Sequence, residues 1–148
     1  MSARHLPAHP LNRLGVALLV AALACWIGFH FLRFYGDMRG WGLWKEIWQA
    51  LMRGSMPQWR GMIFISAFLT IALLVSAAPF ITLLLRKSKP CRWLAIMASG
   101  AALLGLGSII LKDTLEGPAL PVLLAAMTLN FIGLICLRAP RLEVGTES

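Results

Sequence analysis

Charged residues are scarce in this 148-residue chain, since Asp, Glu, Lys and Arg together make up only 14% of it. A soluble domain carries roughly a quarter. Hydrophobic residues make up 59%, and the mean hydropathy is +0.75. Four apolar segments of about 20 residues, each long enough to cross a bilayer, take up most of the chain. This excludes a separate soluble enzyme domain, and it predicts an all-α integral membrane protein in which residues 1–148 form one four-helix bundle.

Acidic residues are rarer than basic ones, with 6 Asp and Glu against 14 Lys and Arg and a formal net charge of +8. In a soluble protein this excess would suggest nucleic acid as a partner. Here the basic residues lie at the ends of apolar segments, where they hold loops in the cytoplasm and contact anionic lipid head groups. We therefore expect membrane lipids, and no nucleic acid, as partners.

Cysteine is also rare, and Cys25, Cys91 and Cys136 form no pattern typical of zinc binding or redox exchange. The predicted spans have almost no ionisable residues in their interiors. This counts against a proton-coupled pump, which needs a buried carboxylate, and against a haem carrier, for which only His30 offers an axial ligand. We expect no cofactor, no metal and no enzymatic activity.

The apolar segments predict spans at residues 14–33, 62–85, 92–111 and 118–137. Pro79 lies inside the second span and should bend it, because proline removes a backbone donor. A basic loop, residues 86–92, follows. Both termini are placed in the cytoplasm of a cell inner (plasma) membrane, because four positive charges within so short a loop are hard to translocate.

The long loop between the first two spans is rich in tryptophan. From residue 41 to residue 53, apolar and polar side chains alternate with helical spacing, which predicts an amphipathic helix lying in the membrane interface. Indole rings prefer the head-group layer. The expected interfacial anchors are Trp41, Trp44, Trp48 and Trp59. On the cytoplasmic side, the residues expected to contact anionic lipid are Arg86, Lys87, Lys89, Arg92, Arg138 and Arg141.

Small residues recur on one face of three spans, which lets helices pack closely in lipid. These faces carry Ala17, Ala21, Ala24 and Gly28 in the first span, Ala98, Ala101, Gly105 and Ser108 in the third, and Ala126, Asn130 and Gly133 in the fourth. Asn130 must face protein or water. We expect a hydrogen bond to Ser66, Thr70, Ser99 or Ser108, the alternative being contact with a ligand or ion.

Polar residues also cluster at the outer ends of the first and third spans. They are His30, Arg33, Asp37, Lys112, Asp113 and Glu116. One interpretation is a head-group or substrate site with histidine or a carboxylate as base. The other is a set of interfacial ion pairs, each worth little, with His30 snorkelling towards the interface.

These features favour a non-enzymatic accessory or scaffolding subunit that binds another membrane protein or a second copy of itself. A small oligomeric transporter or channel is the alternative, and a lipid-modifying membrane enzyme is a third possibility. A transporter requires a continuous polar face within its spans, whereas this sequence offers few hydroxyl and amide groups for such a face.

Overall fold

The computed structural model describes residues 10–35, 37–53, 59–112 and 117–137, which form six helices and one two-stranded hairpin. The helices are α1 (Pro10–Phe31), α2 (Gly40–Met52), α3 (Trp59–Ala77), α4 (Thr82–Lys87), α5 (Lys89–Lys112) and α6 (Ala119–Cys136). Strands β1 (Arg33–Tyr35) and β2 (Met38–Arg39) pair antiparallel between α1 and α2. The helical class is confirmed, and the hairpin is an element that the sequence did not predict.

Within the described residues, three helices are long and apolar enough to cross a membrane, which indicates a membrane protein. They are Leu11–Phe31 within α1, Lys89–Ser108 within α5, and Ala119–Cys136, which is α6. The apolar part of α3, Gly61–Ala77, is shorter. The first, third and fourth predicted spans therefore have counterparts among these three helices, and α3 covers residues 62–77 of the second predicted span.

The second predicted span is interrupted at Pro79 rather than bent. Helix α3 ends at Ala77, and the backbone N–H groups of Phe80 and Ile81 both donate to the Ala77 carbonyl, at 3.0 and 3.1 Å. Proline has no N–H with which to continue the helical ladder. The chain therefore makes a turn before α4 begins.

The basic segment expected as a loop is almost entirely helical. Only Ser88 separates α4 from α5. Within this segment, the Arg92 guanidinium donates to the Leu137 carbonyl at 2.8 Å and so joins the start of α5 to the end of α6. A cation next to the last carbonyls of a helix is stabilising.

Helix α6 packs against α1, α3 and α5. As the small-residue pattern predicted, Ala126, Asn130 and Gly133 are buried. A Cβ atom on Gly133 would lie 3.0 Å from the Leu19 side chain and 3.1 Å from the Gly15 carbonyl oxygen. Glycine thus allows α1 and α6 to approach closely at this point, which we call the glycine contact (Gly15 and Gly133).

Helix α1 packs through the face that the small-residue pattern did not select. Ala17 and Ala24 are exposed, and nothing lies within 4 Å of a Cβ built on Gly28. The buried side carries mainly large residues: Leu19, Ala22, Trp26 and Phe29. Because α1 is apolar all round, hydropathy alone does not indicate which side faces its neighbours.

Candidate functional site

The site with the most specific geometry surrounds His30, near the carboxyl end of α1. The side chain is 5% exposed. The Trp44 indole Nε1 donates to His30 Nε2 at 2.8 Å, so Nε2 carries no proton. His30 Nδ1 then carries the proton and donates to the Trp26 carbonyl at 2.8 Å. Both imidazole nitrogens are occupied, and the tautomer is fixed.

Aromatic rings enclose this imidazole. Its centroid lies 4.5 Å from the Trp41 ring and 4.8 Å from the Trp26 ring, and it is nearly parallel to Trp44 at 6.3 Å. Phe68 of α3 contacts Trp26 and Trp44 at centroid distances of 5.3 and 5.2 Å. Such tilted and edge-to-face contacts are the favoured arrangements of aromatic pairs. The cluster therefore joins α1, α2 and α3, and we call it the aromatic end of α1.

The hairpin and Gly40 bring α2 to this position. Strands β1 and β2 reverse the chain directly after α1, and the Gly40 N–H donates to the Leu32 carbonyl at 3.2 Å. A Cβ on Gly40 would lie 2.5 Å from the Phe29 carbonyl oxygen and 2.8 Å from His30 Cα. Only glycine lets the start of α2 lie directly on the α1 backbone.

Helix α2 turns Leu43 and Ile47 into the protein and leaves Lys45 and Glu46 exposed. Trp44 departs from the expected anchoring role, because it is half-buried and its N–H points to His30 instead of the head groups. Trp41 and Trp48 remain 59% and 63% exposed. Trp59, the fourth expected anchor, is the first residue of α3.

The predicted outer polar cluster is described only in part. His30 does not snorkel, because it is buried among aromatic rings. Arg33 in β1 and Asp37 in the hairpin turn are exposed, and Lys112 is the last residue of α5. Asp113 and Glu116 lie outside the described residues. In this arrangement His30 has no free nitrogen with which to act as a general base.

A groove of about 330 Å³ runs beside the aromatic end. This volume lies at the lower end of the range of small-molecule sites, about 300–1,000 Å³. Its lining comprises Leu23, Trp26, Ile27, His30, Phe31, Trp41, Trp44 and Ser76. Sequence reasoning missed this groove. A usable signal was present in the four-residue spacing of Trp26 and His30, which places both on one side of a helix.

Asn130 is 1% exposed and joins α6 to α5, since its Nδ2 donates to Ser99 Oγ at 3.3 Å. Ser99 is one of the four hydroxyl partners that the sequence offered. The amide oxygen Oδ1 is buried and finds no hydrogen-bond partner among the described residues. The contact between α5 and α6 is therefore polar but incompletely satisfied.

The basic residues near the start of α5 have different environments. Lys87 and Lys89 are exposed, whereas Arg92 is bound to Leu137. Arg86 is half-buried, and its Nε has no partner within the described part of the chain. Arg138 and Arg141, the other two expected lipid contacts, lie outside the described residues.

Among the described residues, no group of three or more His, Cys, Asp or Glu side chains is placed to hold a metal ion. No family model, no curated protein and no solved structure matches this chain.

Proposed function

We propose that this protein is a four-span accessory or scaffolding subunit of the cell inner membrane that binds another membrane protein through α1. The observation that carries the proposal is the small-residue face of α1 (Ala17, Ala21, Ala24 and Gly28). This face lies opposite the buried side of the helix, and a Cβ on Gly28 would meet nothing within 4 Å. Small residues on an unoccupied face allow the backbone of a foreign helix to approach closely.

A second surface supports the same proposal. A groove of about 240 Å³ between α3 and α5 is lined mainly by small residues, among them Ala98, Ala101 and Gly105. Its two hydroxyl groups bond within α3, Ser66 to the Ile63 carbonyl at 3.0 Å and Thr70 to the Ser66 carbonyl at 2.8 Å. They offer little to a polar solute, which favours helix packing over transport.

Four spans require α3 to cross the membrane with α1, α5 and α6. Its 19 residues extend about 28 Å at 1.5 Å per residue, close to the roughly 30 Å hydrocarbon thickness. The turn at Pro79 and the basic end of α4 would then lie in the cytoplasmic interface. Helix α2 would lie in the opposite interface, with its exposed Trp41 and Trp48 rings towards lipid.

Reporter fusions test this topology. A fusion at the carboxyl terminus should report the cytoplasm, and one within residues 55–60 should report the opposite side, because the basic segment between them resists translocation. Cytoplasmic signals from both fusions would contradict the four-span arrangement.

Partner binding is tested by gentle detergent extraction and mass spectrometry of the co-purifying proteins. We expect one stoichiometric foreign membrane protein. Ala24→Leu should remove it at an unchanged thermal unfolding midpoint, because Ala24 is exposed on the small-residue face. Ala125→Leu is the matched control, since Ala125 is exposed on α6. Retention of the partner by Ala24→Leu, or purification as a monomer alone, would contradict the proposal.

Asn130→Leu separates this function from solute transport. If the amide only joins α5 to α6, the variant should lower the free energy of unfolding by about 0.6–2 kcal/mol and keep its partner. Thr128→Leu is the control, because Thr128 is exposed and its hydroxyl bonds to Leu124 of its own helix. An Asn130→Leu protein of unchanged stability that has lost its cellular activity would instead support a transported ligand at Asn130.

A further inference from the structure

We propose that the groove beside His30 binds an anionic glycerophospholipid, with the phosphate between Arg33 and Arg39 and one acyl chain along the groove. This proposal does not rest on the proposed partner helix. It requires only that α1 lies in a membrane, and α1 is long and apolar enough to do so.

The hairpin places two positive charges opposite each other. Arg33 and Arg39 are register partners in the antiparallel pair, and both are exposed. Directly paired residues project on the same face of a hairpin, and like charges at such positions are destabilising. An anion between the two guanidinium groups would relieve this repulsion, and guanidinium binds phosphate oxygens with matched geometry.

Among the described residues, one acidic side chain lies close to this pair in sequence. It is Asp37, in the hairpin turn, and it is exposed. Helix α2, which follows Arg39, has no acidic residue in its first turn and no side-chain cap at Arg39. The positive end of the α2 dipole therefore adds to the field of the arginine pair. This electrostatic environment favours an anionic group.

Two residues that line the groove lie close in sequence to the arginine pair. Phe31 lies two residues before Arg33, and Trp41 lies two residues after Arg39, and both line the groove. Their side chains are 63% and 59% exposed, and Ile27 further along the groove is also exposed. On a membrane-spanning helix such surfaces meet acyl chains, and an indole ring at the level of the phosphate is in its preferred environment.

The same lining disfavours a soluble phosphate compound. The groove walls are mostly apolar. Of their polar members, His30 uses both of its nitrogens within the protein, which leaves the Ser76 hydroxyl. A polar body would lose its hydration and gain few hydrogen bonds in return. A zwitterionic head group would be less favourable than an anionic one, because its positive charge would lie near two arginines and be repelled by them. An anionic lipid is therefore the occupant that fits this site.

The test uses tryptophan fluorescence of the full-length protein in uncharged detergent. Phosphatidylglycerol with brominated acyl chains is added, and phosphatidylcholine with the same chains serves as the comparison. Bromine quenches indoles that the chain contacts, and Trp26, Trp41 and Trp44 line the groove. We expect saturable quenching by phosphatidylglycerol at concentrations where phosphatidylcholine quenches little.

Charge variants identify the head-group contacts. Arg33→Gln with Arg39→Gln should weaken phosphatidylglycerol binding about 30-fold, from about a fivefold loss for each basic residue near an anionic lipid. Lys45→Gln with Arg53→Gln removes two exposed charges from the same segment and should leave binding unchanged. Arg33→Lys with Arg39→Lys keeps both positive charges and should therefore retain most of the phosphatidylglycerol binding.

A groove variant covers the case in which the arginine variant fails to fold. Ser76 lines the groove from α3 and is exposed, so Ser76→Phe should fill the acyl path and lower quenching. Equal quenching by the two lipids, equal losses in both glutamine pairs, or unaffected binding in Ser76→Phe would overturn the proposal. Displacement of the lipid by an equal concentration of inorganic phosphate would also overturn it, because the site would then bind an anion without the acyl chain.

Discussion

The two ends of α1 are packed in different ways. At the glycine contact, Gly15 and Gly133 let two backbones approach, so that a Cβ on Gly133 would lie 3.1 Å from the Gly15 carbonyl oxygen. At the aromatic end, large rings surround a histidine whose two nitrogens are both hydrogen-bonded. The first end gains van der Waals contact by removing side chains, and the second gains it by filling space with them.

This difference predicts where each end tolerates change. At the glycine contact, the nearest atoms to an added methyl group include the Leu19 side chain, which can shift in part. At the aromatic end, a methyl group added to Gly40 would meet backbone atoms of α1, which cannot shift as a side chain can. The buried His30 Nε2 also depends on the Trp44 indole as its one donor. We therefore expect the aromatic end to be the more sensitive of the two.

The largest effect should come from Gly40→Ala. The added methyl group would meet the Phe29 carbonyl oxygen at 2.5 Å, so α2 must move off α1 and the Trp44 bond to His30 must break. We expect the free energy of unfolding to fall by about 3 kcal/mol, measured as thermal unfolding in detergent. Gly42→Ala is the control, because there the nearest atoms belong to the flexible Met38 side chain. Equal stability of the two variants would refute the close approach at Gly40.

Trp44→Phe should have the next largest effect. It keeps an aromatic ring but removes the donor to His30 Nε2, and the other tautomer would only transfer the loss to the Trp26 carbonyl. Leaving one buried polar atom unpaired costs about 1–3 kcal/mol. Trp48→Phe makes the same chemical change at a 63% exposed ring of the same helix and should change stability by less than about 0.5 kcal/mol. Similar losses in both variants would mean that the hydrogen bond contributes nothing specific.

The smallest effects should come from two glycines substituted in the same way. Gly133→Ala should lower the free energy of unfolding by about 1–2 kcal/mol through overpacking. Gly28→Ala should leave it unchanged or raise it by up to about 1 kcal/mol, because the new methyl group meets nothing and alanine is the better helix former. Thermal unfolding of the two variants side by side provides the measurement. A change of the same sign in the free energy of unfolding for both variants would contradict the difference between Gly133, which is closely packed, and Gly28, which contacts nothing.

The sequence predicted the long helices, because length and hydropathy determine them, but it did not predict α4, which falls partly in the second predicted span and partly in the predicted basic loop. The helical spacing of apolar and polar residues predicted α2 at residues 41–53, within one residue at each end of the observed range Gly40–Met52. The buried side of α1 was not found, since every side of that helix is apolar and the small-residue rule selected the opposite face. Pro79 was read as a bend, because sequence alone does not reveal whether the next residues resume the helix or turn.

The sequence indicated residues of the candidate site but not how they are arranged. It predicted a snorkelling side chain or a base for His30 and an interfacial anchor for Trp44. Their hydrogen bond depends on the hairpin, whose strands of three and two residues are too short to show a period in the sequence. Gly40 carries no hydropathy signal at all, although its lack of a side chain decides where α2 lies.

The short connection between α1 and α2 also bears on the order of folding. His30 and Trp44 are 14 residues apart in the chain, whereas Gly15 and Gly133 come from opposite ends of it. Closing a short loop costs less chain entropy than closing a long one, and local contacts form faster. During synthesis the first helix and its tryptophan-bearing neighbour emerge before α6 exists. We therefore expect the contact between α1 and α2 to form before the glycine contact.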